Sequence, residues 1–166
     1  MKKVAVFASG SGSNAENLIR FFSNSPNIRV MAVYSNNPNA YVLERIKPLG
    51  VPGHIIGKTD MSDGSLLKSL QSAGIDIVVL AGDINLGAKG IEWIKDVIPT
   101  KPVVYVLGNH EYYKGSYPKT LHKIKEETLG SNIHVLENFC IVQDCASYFG
   151  MSRISTYRES AKVRMS

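Results

Sequence analysis

The sequence predicts a three-layer α/β fold in which a doubly wound, mostly parallel sheet has a Rossmann-like first half. Short apolar runs alternate with helical stretches, which is the pattern of strand–helix–strand units. The first run, residues 4–8, ends in a Ser-Gly-Ser-Gly-Ser loop that leads into a helix. The run at residues 75–81 is strongly apolar, as expected for a strand at the centre of a parallel sheet.

Each element follows from a local pattern of residues. Residues 4–8 are rich in β-forming side chains, and Leu18, Ile19 and Phe22 lie on one side of the helix that follows. An Asn-Asn-Pro sequence ends the second strand and opens a helix that runs to about residue 49. The strands are predicted at residues 4–8, 28–34, 54–56, 75–81, 102–107, 133–136 and 140–142. The other helices are predicted at residues 14–22, 65–72, 90–97 and 117–129.

Length and composition indicate one globular domain. The 166 residues suit a single core, and 44% hydrophobic with 20% charged residues is ordinary for a folded protein. We expect residues 1–145 to form this domain, with two halves that meet at residue 82, and residues 146–166 to form a basic tail. The net charge is +5, and residues 153–166 carry four basic side chains against one acidic. No aromatic residues alternate with them, so a nucleic-acid partner is not expected.

Membrane and redox partners are also disfavoured. The longest strongly apolar run, residues 77–81, is too short to cross a bilayer, and the N-terminus does not make a signal peptide. Cys140 and Cys145 fit neither a C-x-x-C redox pair nor a zinc knuckle, so reduced thiols are expected. These features predict a cytoplasmic protein and leave its oligomeric state open.

A glycine-rich loop follows the first predicted strand. It comprises Gly10, Ser11, Gly12, Ser13 and Asn14. Amides at a helix N-terminus have no partner within the helix, and the helix dipole adds positive charge, so this loop predicts phosphate binding. A tight turn without a ligand is the alternative. The spacing also matches a dinucleotide fingerprint, but Ser35, Asn36 and Asn37 stand where an acidic residue would bind the ribose, which disfavours NAD.

Four segments in the first half of the sequence together match the sequence pattern of one protein family. They are residues 4–14, 33–36, 49–52 and 76–82. Together they resemble glycinamide ribonucleotide formyltransferase, the folate-dependent enzyme of purine synthesis. In that family the loop holds the phosphate of the ribonucleotide substrate, which implies a small phosphorylated ligand here.

The formyl-transfer residues of that family lie further along the chain. The family uses an N-x-H-P stretch followed by a later aspartate, and this combination does not occur after Gly82; Asn132-Ile133-His134 supplies only the N-x-H fragment. We therefore expect His134 to be an ordinary strand residue. The resemblance implies ribonucleotide binding with incomplete transfer chemistry and without the family's folate site.

Two motifs in the second half each follow an apolar strand. Gly82-Asp83 follows residues 75–81, and Gly108-Asn109-His110-Glu111 follows residues 102–107. With residues 135–138, they resemble the middle of a calcineurin-like metallophosphoesterase. The resemblance implies a two-metal clamp on a phosphate. Asp83 and Asn109 would be metal ligands, His110 the catalytic group at the phosphate, and Glu111 a support of the loop.

This second resemblance is also partial. The family uses an early D-x-H and a later G-H-x-H, and the sequence has neither. Two divalent ions need several carboxylate and imidazole ligands, so Asp83 and Asn109 predict a partial site for Mn²⁺ or a similar ion. Without a metal, both motifs are turns after buried strands. The segment after Asp144 is expected to resemble neither family.

Three functional hypotheses follow. The first is a formyltransferase-like domain that binds a ribonucleotide or another phosphate ester without a metal. The second is a metal-dependent phosphoesterase, a hydrolase, and the third is an inactive chimeric or designed scaffold. The change of resemblance at Ala81-Gly82 is typical of recombination at a shared structural joint. If the strands follow the doubly wound order, the glycine loop, Asp83 and His110 lie at one edge of the sheet.

Overall fold

A computed structural model describes residues 1–82, 89–108, 111, 116–136, 140–143 and 146–149. The sheet strands are β1 Lys2–Phe7, β2 Ile28–Ser35, β3 Gly53–Ile55, β4 Ile77–Ala81, β5 Val103–Val106 and β6 Ile133–Leu136. The helices are α1 Ser13–Phe22, α2 Tyr41–Arg45, α3 Lys58–Ser62, α4 Ser65–Ser72, α5 Lys89–Val97 and α6 Tyr117–Thr128. A 3₁₀ turn spans Lys47–Leu49, and β7 Cys140–Gln143 pairs antiparallel with β8 Ala146–Phe149.

The six-stranded sheet has the order β3-β2-β1-β4-β5-β6, and its neighbouring strands are all parallel. The first strand therefore lies between the second and the fourth, and the fifth follows the fourth. This is the doubly wound order that the sequence predicts, so the predicted fold class is confirmed. The carboxyl ends of β1, β4 and β5 meet at one edge, because parallel strands end on the same side.

Alternating residues of each strand pack on opposite faces of the sheet. In β1, Val4 and Val6 join one buried cluster with Ile19 of α1, whereas Ala5 and Phe7 join the cluster on the other face. Helices α1 and α2 cover the first face, and α4, α5 and α6 cover the second. The arrangement has three layers, and the sheet buries apolar side chains on both sides. None of the helices described is long and apolar enough to span a membrane.

The structure differs from the sequence-based prediction in the segment that follows β2. The predicted helix reaches about residue 49, but α2 ends at Arg45 and a 3₁₀ turn follows. Pro48 has no amide hydrogen with which to continue an α-helix, and Gly50 ends the turn with a φ of 68°.

A second difference is α3, which the sequence pattern does not predict. It spans only five residues, and the Asp60 carboxylate accepts a hydrogen bond from the Gly57 amide at 2.7 Å. Its start depends on this local cap rather than on an apolar periodicity.

The end of the chain also differs from the prediction. Strand β8 lies in a region for which the sequence pattern predicts no firm structure, and it pairs with β7 in a separate two-stranded sheet. The predicted domain boundary at residue 145 falls between these two strands. Cys145, the connection through Glu137 and Asn138, and the basic residues 153–166 lie outside the described residues.

Candidate functional site

The glycine loop connects the end of β1 to the start of α1. Gly12 caps the helix in the left-handed conformation, with φ of 75° and ψ of 16°, a region that glycine enters without steric cost. The Glu16 amide donates to the Gly12 carbonyl at 2.9 Å and closes the first helical turn. Gly10 and Ser11 are exposed. The loop therefore lies at the surface, at the carboxyl edge of the sheet.

The amides of this loop have no acceptor in the part of the chain that the structure describes. No hydrogen bond within those residues uses the amide nitrogen of Gly10, Ser11, Gly12, Ser13 or Asn14 as a donor. The N-terminus of α1 also lacks a side-chain cap. Unpaired amides at the positive end of a helix dipole attract an anion. The arrangement can therefore accept a phosphate group through backbone donors alone.

The start of α2 determines the shape of the loop. The Val42 amide donates to the Gly10 carbonyl at 3.2 Å. A Cβ atom on Gly12 would lie 2.3 Å from Val42 Cγ2 and 2.7 Å from Val42 Cα, so the space beside Gly12 is filled. A Cβ on Gly10 would meet no atom of the described residues within 4 Å. The two glycines therefore differ: Gly12 is required by packing and backbone conformation, and Gly10 is open to substitution.

Asn14 links the loop to the end of β4. Its side-chain Nδ2 donates to the Ala81 carbonyl at 3.4 Å, and its Oδ1 is buried without a hydrogen-bond partner in the structure described. Ala81 is the last residue of β4 and immediately precedes Gly82. The glycine loop is thus hydrogen-bonded to the strand that precedes the first phosphoesterase-like motif.

The ends of β4 and β5 are in close contact. Gly82 has a φ of 87°, and a Cβ atom on it would lie 3.1 Å from the Gly108 Cα and 3.2 Å from the Gly108 nitrogen. The two phosphoesterase-like motifs therefore begin from neighbouring backbone. The predicted site residues Asp83, Asn109 and His110 lie outside the described residues.

Glu111 anchors the loop after β5. Its side chain is only 1% exposed, and its carboxylate accepts hydrogen bonds from the Tyr105 hydroxyl at 2.9 Å and from the Gly108 amide at 2.7 Å. A buried carboxylate needs such donors, because burial without them is costly. Glu111 therefore fixes the backbone at Gly108, which agrees with the supporting role that the resemblance implies.

Metal ligands do not cluster in the described part of the chain. Within it, no group of three or more His, Cys, Asp or Glu side chains comes together as a metal site would require. His134 lies in β6, where it pairs with Val104 of β5, and is half-buried. Its place in the sheet is that of an ordinary strand residue.

An ion-pair cluster that the sequence pattern does not predict lies beside the glycine loop. The Glu16 carboxylate pairs with Arg20 at 2.9 Å and with Arg45 of α2 at 2.8 Å. Hydrogen bonds from Arg20 and then from Arg45 hold the pKa of Glu16 below its ordinary value. The Arg20 contact has the i, i+4 spacing that a helix sequence reveals. Arg45 is 29 residues away from Glu16 in sequence, so only the fold brings them together.

The chain is similar to proteins of two families. A family model described as "Calcineurin-like phosphoesterase" matches residues 64–155, more than half of the chain. The "Trifunctional purine biosynthetic protein adenosine-3" of Drosophila melanogaster is 35% identical in an alignment of 89 residues that covers 49% of this chain and 7% of that protein. The "Phosphoribosylglycinamide formyltransferase" of Haemophilus influenzae is 34% identical in an alignment of 92 residues that covers 52% of this chain and 43% of that protein.

A solved structure of a glycinamide ribonucleotide transformylase is also similar to this chain. The glycinamide ribonucleotide transformylase 1 of Symbiobacterium toebii aligns with a TM-score of 0.49 and 26% identity over 64% of this chain and 50% of that one. The chain thus spans about half the length, or less, of these relatives.

The two resemblances that the sequence motifs indicate are confirmed. The phosphoesterase match is longer than expected at both ends, since it begins at residue 64 rather than 82 and extends beyond residue 138. The expectation that the segment after Asp144 resembles neither family is wrong for the residues up to 155.

Proposed function

The chain belongs, through residues 64–155, to the calcineurin-like phosphoesterase family, and we propose that it binds a small phosphate ester at the carboxyl edge of its sheet. The phosphate group lies on the glycine loop, Gly10 to Asn14, and binding needs no metal. The observation that carries the proposal is the set of loop amides without an acceptor, within the described residues, at the N-terminus of α1.

The class of ligand follows from the donors. Backbone amides and the Ser11 and Ser13 hydroxyls donate hydrogen bonds to phosphate oxygens and do not select a base. The similarity to phosphoribosylglycinamide formyltransferases supports a phosphorylated ribose compound as the ester. Transfer chemistry is incomplete in this proposal, because the N-x-H-P stretch is missing from the sequence.

The experiment compares Gly10→Asp with Gly10→Asn. A Cβ atom at Gly10 would meet no atom within 4 Å in the part of the chain that the structure describes, so both variants should fold, and they differ by one negative charge. A substitution at Gly12 is less informative, because any side chain there collides with Val42. Ligand binding is measured as the shift of the thermal unfolding midpoint with ribose 5-phosphate, without metal.

We expect the natural protein and Gly10→Asn to be stabilised by the ligand. A ligand at about 100 times its Kd adds about 2.7 kcal/mol to the stability of the native state, roughly 5 to 10 °C for a domain of this size. Gly10→Asp should show a much smaller shift, because its carboxylate repels the phosphate. An equal shift in all three proteins, or no shift in any, would reject the proposed site.

A metal-dependent phosphoesterase is the second candidate, and the family match over residues 64–155 favours it. Asp83 and Asn109 would hold Mn²⁺ or a similar ion, and His110 would assist at the phosphate. The approach of Gly82 to Gly108 supports a common location for the two loops. This candidate predicts hydrolysis of an aryl phosphate that requires Mn²⁺ and is lost in Asp83→Ala.

The two candidates are separated by the role of the metal. Stabilisation by ribose 5-phosphate in the presence of a chelator supports metal-free binding. Activity that appears only with Mn²⁺, and that Asp63→Ala retains as a control, supports the phosphoesterase. If neither ribose 5-phosphate nor Mn²⁺ changes the thermal unfolding midpoint, the result supports the third hypothesis, an inactive scaffold. A cytoplasmic location stays a prediction in every case.

A further inference from the structure

Arg45 lies on α2, beside the proposed phosphate loop, and its guanidinium is directed to Glu16. Its Nη1 donates to Glu16 Oε2 at 2.8 Å, and its guanidinium carbon lies 5.2 Å from the centre of the Tyr41 ring. The Arg45 Nε is buried without a hydrogen-bond partner in the described structure. Arg45 therefore contacts Glu16 although its buried Nε donor has no hydrogen-bond partner within the described residues.

Glu16 is in an unfavourable place for an anion site. It lies in the first turn of α1, the helix whose N-terminus carries the unpaired amides. A carboxylate there stabilises the helix through the dipole, but it also opposes the binding of a second anion at the same helix end. Two arginine side chains, Arg20 and Arg45, neutralise it. Arg20 is 62% exposed and Arg45 30%, so the Arg45 pair is less screened by water.

We propose that Arg45 is a positioning residue for the phosphate loop that acts by holding and neutralising the Glu16 carboxylate. The inference rests on the proposed phosphate binding at Gly10 to Asn14. Arg45 leaves the positive potential of the α1 N-terminus available to the ligand, although Glu16 is only one turn away. It also belongs to the same short helix, α2, as Val42, which packs against Gly12.

The test measures the Kd of ribose 5-phosphate by titration calorimetry at low salt. Arg45→Met should weaken binding about two- to fivefold, the effect of one charge near a helix N-terminus. Glu16→Gln should tighten binding by a similar factor, and the double variant should bind more tightly than Arg45→Met alone. A purely structural role predicts the opposite, because loss of either partner would then weaken binding and the double variant would recover nothing.

Lys47→Met is the matched control, since it removes one positive charge from an exposed pair with Glu44 rather than with Glu16. Its Kd should equal that of the natural protein. High salt should reduce the effects of Arg45→Met and Glu16→Gln, because the mechanism is electrostatic. Far-UV circular dichroism and thermal unfolding without ligand show that each variant is folded.

The outcomes separate this inference from the proposed function. If the natural protein does not bind ribose 5-phosphate, the proposed phosphate site fails and the role of Arg45 fails with it. Suppose instead that the natural protein binds ribose 5-phosphate while Glu16→Gln raises the Kd or leaves it unchanged. In that case only the role of Arg45 is overturned. Tighter binding by Glu16→Gln together with rescue in the double variant supports it.

Discussion

Gly12→Ala tests the packing that shapes the glycine loop. The added methyl group would lie 2.3 Å from Val42 Cγ2, 2.4 Å from Val42 Cβ and 2.7 Å from Val42 Cα. The last of these atoms is backbone, so a change of the Val42 rotamer cannot remove the collision. Either α2 moves away from the loop or Gly12 leaves its left-handed conformation.

Two effects add in this variant. The left-handed conformation costs a residue with a Cβ atom roughly 1 to 2 kcal/mol, and overpacking in a filled site costs about 1 to 3 kcal/mol more. The free energy of unfolding should therefore fall by roughly 2 to 5 kcal/mol. For a domain of this size, that lowers the thermal midpoint by about 5 to 20 °C.

Urea unfolding followed by far-UV circular dichroism measures the effect, and Gly10→Ala is the control. Gly10 lies two residues away and does not have a positive φ, and a methyl group on it would meet no atom within 4 Å among the residues described. Its substitution should change stability by no more than about 0.5 kcal/mol. A Gly12→Ala variant as stable as Gly10→Ala would refute the contact between α2 and the loop.

Three further predictions concern a buried anchor, pH and cooperativity. Tyr105→Phe removes a hydroxyl that donates to a buried carboxylate, so the free energy of unfolding should fall by about 1 to 3 kcal/mol; an unchanged midpoint would contradict this. Because Arg20 and Arg45 lower the pKa of Glu16 in the folded protein, its contribution is present above the unfolded pKa and is lost as pH falls through the folded pKa. Acid should therefore destabilise Glu16→Gln less than the natural protein, and identical pH profiles would exclude the effect. Fluorescence of Trp93, the single tryptophan, should report the same unfolding midpoint as circular dichroism, whereas separate midpoints would indicate two units.

The sheet could be predicted because its strands are short, apolar and separated by clear helical stretches. Val78 and Leu80 are fully buried in β4, as the apolar run at residues 75–81 predicts. The glycine loop could be predicted as well, because a strand, a Gly-x-Gly sequence and a helix follow one another locally. These features depend on neighbours in sequence, which is where sequence patterns are informative.

Other features depend on residues that are distant in sequence. Nothing at Val42 indicates that its backbone lies against Gly12, and nothing at Arg45 indicates a partner at Glu16. Both contacts arise because α2 returns to pack beside α1 after β2. The sequence therefore predicts the glycine loop but not the residues that pack against it or pair with Glu16.

Strand β4 lies in the middle of the sheet, between β1 and β5, and this placement makes the two halves of the sheet depend on each other. Val79 of β4 pairs with Val6 of β1 on one side and with Val104 of β5 on the other. If either half folded alone, an apolar edge of β4 would lose its backbone partners, and unpaired buried backbone groups are costly. Strand β4 must therefore pair with both neighbours at once. This is the physical reason to expect the two halves of the sheet to unfold together, although the chain resembles two different families.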